Sequence, residues 1–149
     1  MMANKPEKPR IFIDADVLFA GSASPNEYSA SLVILRMAEI TLIKAITSQQ
    51  VISEVERNLQ HKLPTALTTF RMLVSRCLQV VPDPSPEQIA ALTGAADSKD
   101  LPILVAAINH NCQYLTTYNT RHFQPGHQSI TTLPPGDLVQ RIRYLLSSI

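Results

Sequence analysis

Apolar residues fall along the chain in short runs that alternate with helical stripes. Ile11-Phe12-Ile13 is β-branched and aromatic, reads as a fully buried strand, and stops at two acids, Asp14 and Asp16. Val17 to Ala20 suits a short helical turn, broken by the small polar loop Gly21-Ser22-Ala23-Ser24-Pro25-Asn26. Glu27 to about Ile40 places Tyr28, Leu32, Leu35, Met37 and Ala38 as a helix packed on a sheet would. Thr41 to Ile46 is a second strand. Thr47 and Ser48 compete to cap the helix that follows, and Gln50 is spaced to close a capping box with Thr47. That helix runs to about Leu63, with Val51, Ile52, Val55 and Leu59 on one face and Glu54 at its edge.

The second half continues the alternation. Pro64 opens a helix to about Cys77 with Leu67, Phe70, Leu73 and Val74 inward. Leu78 to Val81 is a third strand, and Pro82-Asp83-Pro84-Ser85-Pro86 turns into a short helix, Glu87 to Leu92. After a loop, Gly94 to Lys99, either Ser98 or Asp100 caps a helix from Leu101 to about Asn109. Tyr114 to Thr117 and Ser129 to Leu133 are strands. A terminal amphipathic helix begins at Pro135, with Leu138, Ile142, Leu145 and Leu146 at helical spacing. Strands alternating with helices predict an α/β fold with a mostly parallel central sheet covered on both faces.

At 149 residues, 45% hydrophobic and 17% charged, the chain has the size and composition of one folded domain. We assign residues 1–9 to a flexible lead and 10–149 to the domain. A formal charge of +1 gives no broad electrostatic footprint for nucleic acid, so a polyanion needs a local basic patch and metal ions. Cys77 and Cys112 match no zinc spacing and read as free thiols of a reducing compartment. His110, His122 and His127 bracket Cys112 but also fit no closed zinc pattern, and read as surface or core residues. The polar start of the chain looks like neither a signal nor a transit peptide, and no apolar run is long enough to span a bilayer, so a cytoplasmic protein is expected.

Candidate chemistry lies in the acids. Carboxylates at the carboxyl end of a central strand sit where open α/β sheets place ligand crevices. Asp14 follows the first strand, Glu54 lies in a helix, and Asp100 opens a helix with its face toward Leu104 and Ala107. An oxygen-only set of this kind suits a hard divalent cation. Taken singly, Asp100 also reads as a helix cap, Glu54 as a solvated helix residue and Asp16 as a turn cap; only Asp14, tight against the apolar strand, lacks a structural role.

Four segments in order resemble the motifs of PIN-domain ribonucleases, which include the VapC-type toxins. Ile11-Phe12-Ile13-Asp14-Ala15-Asp16-Val17-Leu18 looks like their opening strand and first acid. Thr47-Ser48-Gln49-Gln50-Val51-Ile52-Ser53-Glu54-Val55 is similar to the second, a Ser-started helix carrying an acid. Asp97-Ser98-Lys99-Asp100-Leu101-Pro102-Ile103-Leu104-Val105-Ala106-Ala107 is similar to the third, and Tyr114-Leu115-Thr116-Thr117-Tyr118-Asn119-Thr120-Arg121-His122-Phe123 to the fourth. The match spans about Ile11 to Leu146 and implies a PIN-like three-layer α/β/α domain.

The resemblance implies that Asp14, Glu54 and Asp100 bind Mg²⁺ or Mn²⁺ and act in catalysis, with Asp97 an auxiliary acid and Thr117 supporting the acids by hydrogen bonding. Asn119 stands at a catalytic position where many members carry a fourth Asp, which removes one negative charge and bears on a second metal; Asp16 replaces a common Asn or Ser and restores some of it. Lys99 and Arg121, close to the acids in sequence, are candidates to hold the phosphate backbone. The implied activity is metal-dependent hydrolysis of RNA by the toxin of a toxin–antitoxin pair, with an antitoxin as partner and a homodimer as assembly. Two rivals stand beside it. A PIN-like scaffold would bind RNA or a protein without cleaving. A haloacid-dehalogenase-type phosphatase would use Asp14 and Asp16 as nucleophile and acid/base, but it needs Gly where Val17 stands and a different motif order.

Overall fold

In a computed structural model, residues 7–23 and 29–148 are described. The first strand, β1 (Arg10–Ile13), is the centre of a five-stranded sheet ordered β3-β2-β1-β4-β5, with β2 Lys44–Ser48, β3 Leu78–Val81, β4 Tyr114–Thr116 and β5 Thr131–Leu133. Every neighbouring pair is parallel. Ile11, Phe12 and Ile13 are fully buried, as a strand covered on both faces requires. The helices are α1 Ala15–Ala23, α2 Ala30–Glu39, α3 Gln49–Lys62, α4 Leu67–Cys77, α5 Pro86–Ala90, α6 Leu101–Asn109 and α7 Pro135–Ser147. Helices α1, α2, α3, α4 and α7 pack on one another, and α5 packs on α6. With right-handed crossovers, the chain that builds outward from β1 to β3 and then returns to β4 must cover opposite faces of the sheet. The result is the expected α/β/α sandwich. Helix α6 is apolar almost all round, and Leu101 and Ile103 to Ala107 are buried.

This strand order sets the position of the crevice. Between β1 and β4 the direction of chain growth reverses, and helices leave neighbouring strand ends on opposite sides. The register pairs Ile13 with Thr116, so Asp14 emerges opposite Thr117, and Asp14 N–H donates to the Thr116 carbonyl at 3.1 Å.

Several local expectations are corrected. The break expected at Gly21 is absent, because α1 continues through Gly21 and Ser22 to Ala23. A Cβ at Gly21 would meet Leu35 Cδ1 at 2.9 Å, so the glycine permits close approach of α2 rather than a turn. The remainder of the expected loop, Ser24 to Asn26, and Glu27 and Tyr28 of the expected second helix, lie outside the described residues. Thr47 does not cap α3. It is buried in β2, its hydroxyl donating to the Ile13 carbonyl at 2.9 Å, while Ser48 accepts from Val51 N–H and Gln50 N–H donates to Asp83. The second strand begins three residues later than Thr41. Thr41 itself closes α2 at φ 66°. Asp100 stands at the N-cap of α6 but makes no side-chain capping bond. Both cysteines are buried and free, and burial pushes the Cys112 thiol up to about 12. Among the described residues, no helix is long and apolar enough to cross a membrane.

Candidate active site

A cleft of about 290 Å³ opens at the carboxyl ends of the strands, lined by Asp14, Asp16, Glu54, Asp100, Asn119 and Lys99 of the sequence-derived set, together with Gln50, Arg57, Ile103 and His122 among others. Four carboxylates separated by up to 86 positions in sequence thus face one space. Asp14 is brought there by β1 and Asp16 by the first turn of α1. Glu54 comes from α3, which leaves β2 without an intervening loop, so that Gln50, Glu54 and Arg57 share the face turned to the cleft.

Asp14 is the most constrained. Its Oδ1 accepts Ala15 N–H at 2.8 Å and its Oδ2 accepts the Thr117 hydroxyl at 2.8 Å. Burial, and after it the negative charge of Asp16, raises its pKa to about 7; Glu54 adds to the rise, against the two hydrogen bonds. Asp16 Oδ2 accepts Tyr118 N–H at 3.0 Å, the Asn119 amide at 3.2 Å and a longer contact from the Thr117 hydroxyl at 3.3 Å. Burial also raises the Asp16 pKa. Thr117 therefore ties the two acids together, and Asn119, as a donor, holds Asp16 in place. The Thr117 hydroxyl also accepts Asn119 N–H at 3.1 Å, which fixes this turn.

Asp100 stands on the other wall. His122 Nδ1 approaches its Oδ2 at 3.3 Å without hydrogen-bond alignment, and the backbone bond from Asp97 N–H to the His122 carbonyl at 2.8 Å stitches the two segments. One ligand atom each from Asp97, Asp100 and His122 lie within 4.8 Å of one another. Burial raises the Asp100 carboxyl, while Lys99 and His122 oppose the rise. Asp16 Oδ1 and Asp100 Oδ2 are buried without a hydrogen-bond partner.

Sequence order missed two contributors. By sequence His122 reads, with His110 and His127, as a surface or core residue, yet of the three it lines the cleft; His127 pairs with Ser129, and the His110 carbonyl holds Arg10. Arg57 lies one turn beyond Glu54, and that spacing was the available signal. Arg121 is exposed and is not among the cleft residues, because the 3₁₀ turn Thr120–Phe123 directs successive side chains about 120° apart and presents His122 instead. Asp97 is exposed and reaches the site through Asp100 and His122.

A family model for the PIN domain matches residues 10–121, the stretch that contains all four acids of the cleft. The chain belongs to the PIN-domain family. Members of this family are generally nucleases. The fold of this PIN domain is shared with a chain of VapBC2 from Rickettsia felis, solved bound to a DNA fragment from their promoter. The TM-score is 0.66 at 13% identity, covering 84% of this chain and 98% of that one. It is shared also with PAE2754 from Pyrobaculum aerophilum, at TM-score 0.64 and 15% identity over 91% and 96% of the two chains. No curated protein matches the sequence. The haloacid-dehalogenase reading of Asp14 as nucleophile and Asp16 as acid/base is not better supported.

Proposed function

We propose that this PIN domain is a divalent-metal-dependent endoribonuclease and the toxin of a toxin–antitoxin pair. The observation that carries the reading is the meeting of Asp14, Asp16, Glu54 and Asp100 around one cleft, with Asp14 so deeply set that its carboxyl is raised to about 7. Such a cluster is costly unless a cation compensates it. The carboxylates lining the cleft are the oxygen donors a hard ion takes, with Asp16 Oδ1 and Asp100 Oδ2 unpartnered, and Asp97, Asp100 and His122 bring one ligand atom each within 4.8 Å of one another. Asp14, Glu54 and Asp100 would hold Mg²⁺ or Mn²⁺, supported by Asp16. When bound, the ion supplies a water of lowered pKa and neutralises charge on the phosphoryl oxygens.

The chain's own residues do the rest. Asp14, held by Ala15 N–H and the Thr117 hydroxyl, would meet the ion as a carboxylate. Thr117 and Asn119 keep Asp14 and Asp16 from swinging apart, His122 borders Asp100, and Arg57 and Lys99 on facing walls draw the phosphodiester into an otherwise anionic cleft. Asp97 stands behind Asp100 as an auxiliary acid. Because Asn119 is a donor rather than a fourth acid, a single ion is the expected occupancy. The antitoxin and homodimer belong to the same proposal. Co-purification with the product of a neighbouring open reading frame and sedimentation of the isolated chain test them.

The deciding experiment is cleavage of structured and single-stranded RNA with Mg²⁺, with Mn²⁺ and with EDTA. Asp14→Ala, Glu54→Ala and Asp100→Ala should each lower activity by about 10³-fold or more while circular dichroism remains that of the folded domain. Cleavage that persists in EDTA, or in Asp14→Ala, rejects the site. Metal-dependent RNA binding without cleavage would favour the scaffold reading, in which Asn119 marks a weakened centre.

A further inference from the structure

Two short segments, distant in sequence, meet at the wall of the cleft and bring three metal-ligating side chains together. Asp97 and Asp100 lie three residues apart, and the Asp97 carbonyl accepts Asp100 N–H at 2.9 Å and Leu101 N–H at 2.8 Å. That helical turn puts both carboxylates on one side. His122 is set by the 3₁₀ turn Thr120–Phe123: its N–H donates to the Asn119 carbonyl at 3.0 Å, and its carbonyl accepts Asp97 N–H at 2.8 Å.

The side chains at this junction lack the partners such side chains ordinarily take. Asp100 occupies the N-cap of α6, where an aspartate commonly accepts a backbone N–H, yet it makes no capping bond. A protonated imidazole would aim an N–H at the carboxylate facing it. Asp100 Oδ2 is 3.3 Å from His122 Nδ1, yet it is buried with no hydrogen-bond partner among the described residues. Ligands of one ion, each about 2.1 Å from it, stand roughly 3 to 4 Å apart. The His122–Asp100 separation lies in that range, and one ligand atom each from Asp97, Asp100 and His122 fall within 4.8 Å of one another, so small side-chain rotations close the set.

We infer that His122 is a direct nitrogen ligand of the divalent ion that Asp100 holds, with Asp97 beside it, and that this makes the centre selective for Mn²⁺ over Mg²⁺. This rests on the metal-dependent nuclease reading and names its ion. Mg²⁺ takes oxygen ligands and keeps its waters, so an imidazole adds little to its binding. First-row transition ions accept imidazole nitrogen, with an affinity that rises from Mn²⁺ to Co²⁺. Asp14, Asp16 and Glu54 offer oxygen alone and do not make that distinction; among the cleft residues His122 does.

Metal binding to the full chain is measured without RNA, by titration calorimetry with Mn²⁺, Co²⁺ and Mg²⁺. Pulsed electron paramagnetic resonance of the Mn²⁺-loaded protein then reads a bound nitrogen as a hyperfine coupling. Wild type should show the coupling. His122→Asn should lose it and weaken Mn²⁺ and Co²⁺ binding by about 10- to 100-fold, Co²⁺ the more, while Mg²⁺ affinity changes by less than about threefold. His122→Asp, which keeps an oxygen ligand, should also lose the coupling and bind Mg²⁺ at least as tightly as wild type. His127→Asn should keep the coupling, since His127 pairs with Ser129 and does not line the cleft. No coupling in wild type, coupling that survives in both His122 variants, or equal loss of Mg²⁺ and Co²⁺ binding in His122→Asn overturns the inference. Coupling in a wild type that cleaves no RNA would overturn the nuclease reading and leave the ligand standing, and Mg²⁺-dependent cleavage without coupling would do the reverse.

Discussion

The two ends of β1 treat charge in opposite ways. At the amino end, the Arg10 guanidinium donates twice to the His110 carbonyl, at 2.9 and 2.8 Å, while Arg10 N–H donates to Gln113 Oε1 and the Arg10 carbonyl accepts Gln113 N–H. At the carboxyl end, the charge of Asp16 bears on Asp14, and two cleft carboxylate oxygens, Asp16 Oδ1 and Asp100 Oδ2, are among the buried side-chain oxygens without a partner among the described residues. One end is closed by the protein's own hydrogen bonds. The other leaves carboxylate oxygens without partners. The difference shows that electrostatic cost in this fold is local: it gathers where the strand order reverses and the helices part, and is absent four residues away, at Arg10.

The largest expected effect on stability comes from making the costly end resemble the quiet one. An unfolded Asp titrates near pH 3.9, and folding raises Asp14 to about 7. Below about pH 4 both states hold the proton and the full stability is present. As pH rises toward about 7 the unfolded chain ionises freely while the folded one resists, so stability is lost by on the order of 4 kcal/mol in the metal-free protein. Urea unfolding in EDTA from pH 5 to 8 should show this decline, Asp14→Asn should flatten it, and millimolar Mn²⁺ should reverse it for wild type alone. Metal affinity should in turn weaken as pH falls below about 7, since loading must displace the Asp14 proton. A stability that rises with pH in EDTA would refute the assignment.

A smaller effect is expected at the quiet end. Arg10→Met removes two charge-assisted hydrogen bonds and should lower unfolding free energy by about 2 kcal/mol while leaving RNA cleavage per folded molecule unchanged. A change in activity comparable to that of the acid variants would mean that the two ends are coupled. The smallest effect concerns the return from α2 into β2, away from the acids. Thr41 adopts φ 66°, with Thr41 N–H donating to the Ala38 carbonyl and Leu42 N–H to that of Met37, a helix end that normally takes glycine. Thr41→Gly should stabilise the domain by about 1 kcal/mol in thermal unfolding and leave the cleft untouched.

Much of this molecule was legible one segment at a time. The strand bounds Leu78–Val81 and the start of α6 at Leu101 follow from β-branched runs and proline placement. Errors arose where a neighbour distant in sequence overrides a local preference. Gly21 looks like a breaker until Leu35 of α2 is seen to occupy the space of its Cβ. Thr47 looks like a cap until its hydroxyl finds the Ile13 carbonyl across the sheet. Arg121 and His122 are adjacent in sequence, and only the turn that carries them decides which one borders the acids.

From its sequence alone this chain determines a buried strand ending in an acid, the alternation of strands and helices, and the family to which they belong, because these depend on side-chain size, branching and polarity at short spacing. Tertiary structure alone decides that Asp14, Asp16, Glu54 and Asp100 share one cleft, that Thr117 and Asn119 hold the first two, and that Arg57 and His122 join them. The reason is geometric. Parallel pairing of β1 with β4 joins residues 103 positions apart, and no local pattern in a chain carries the distance between two such side chains.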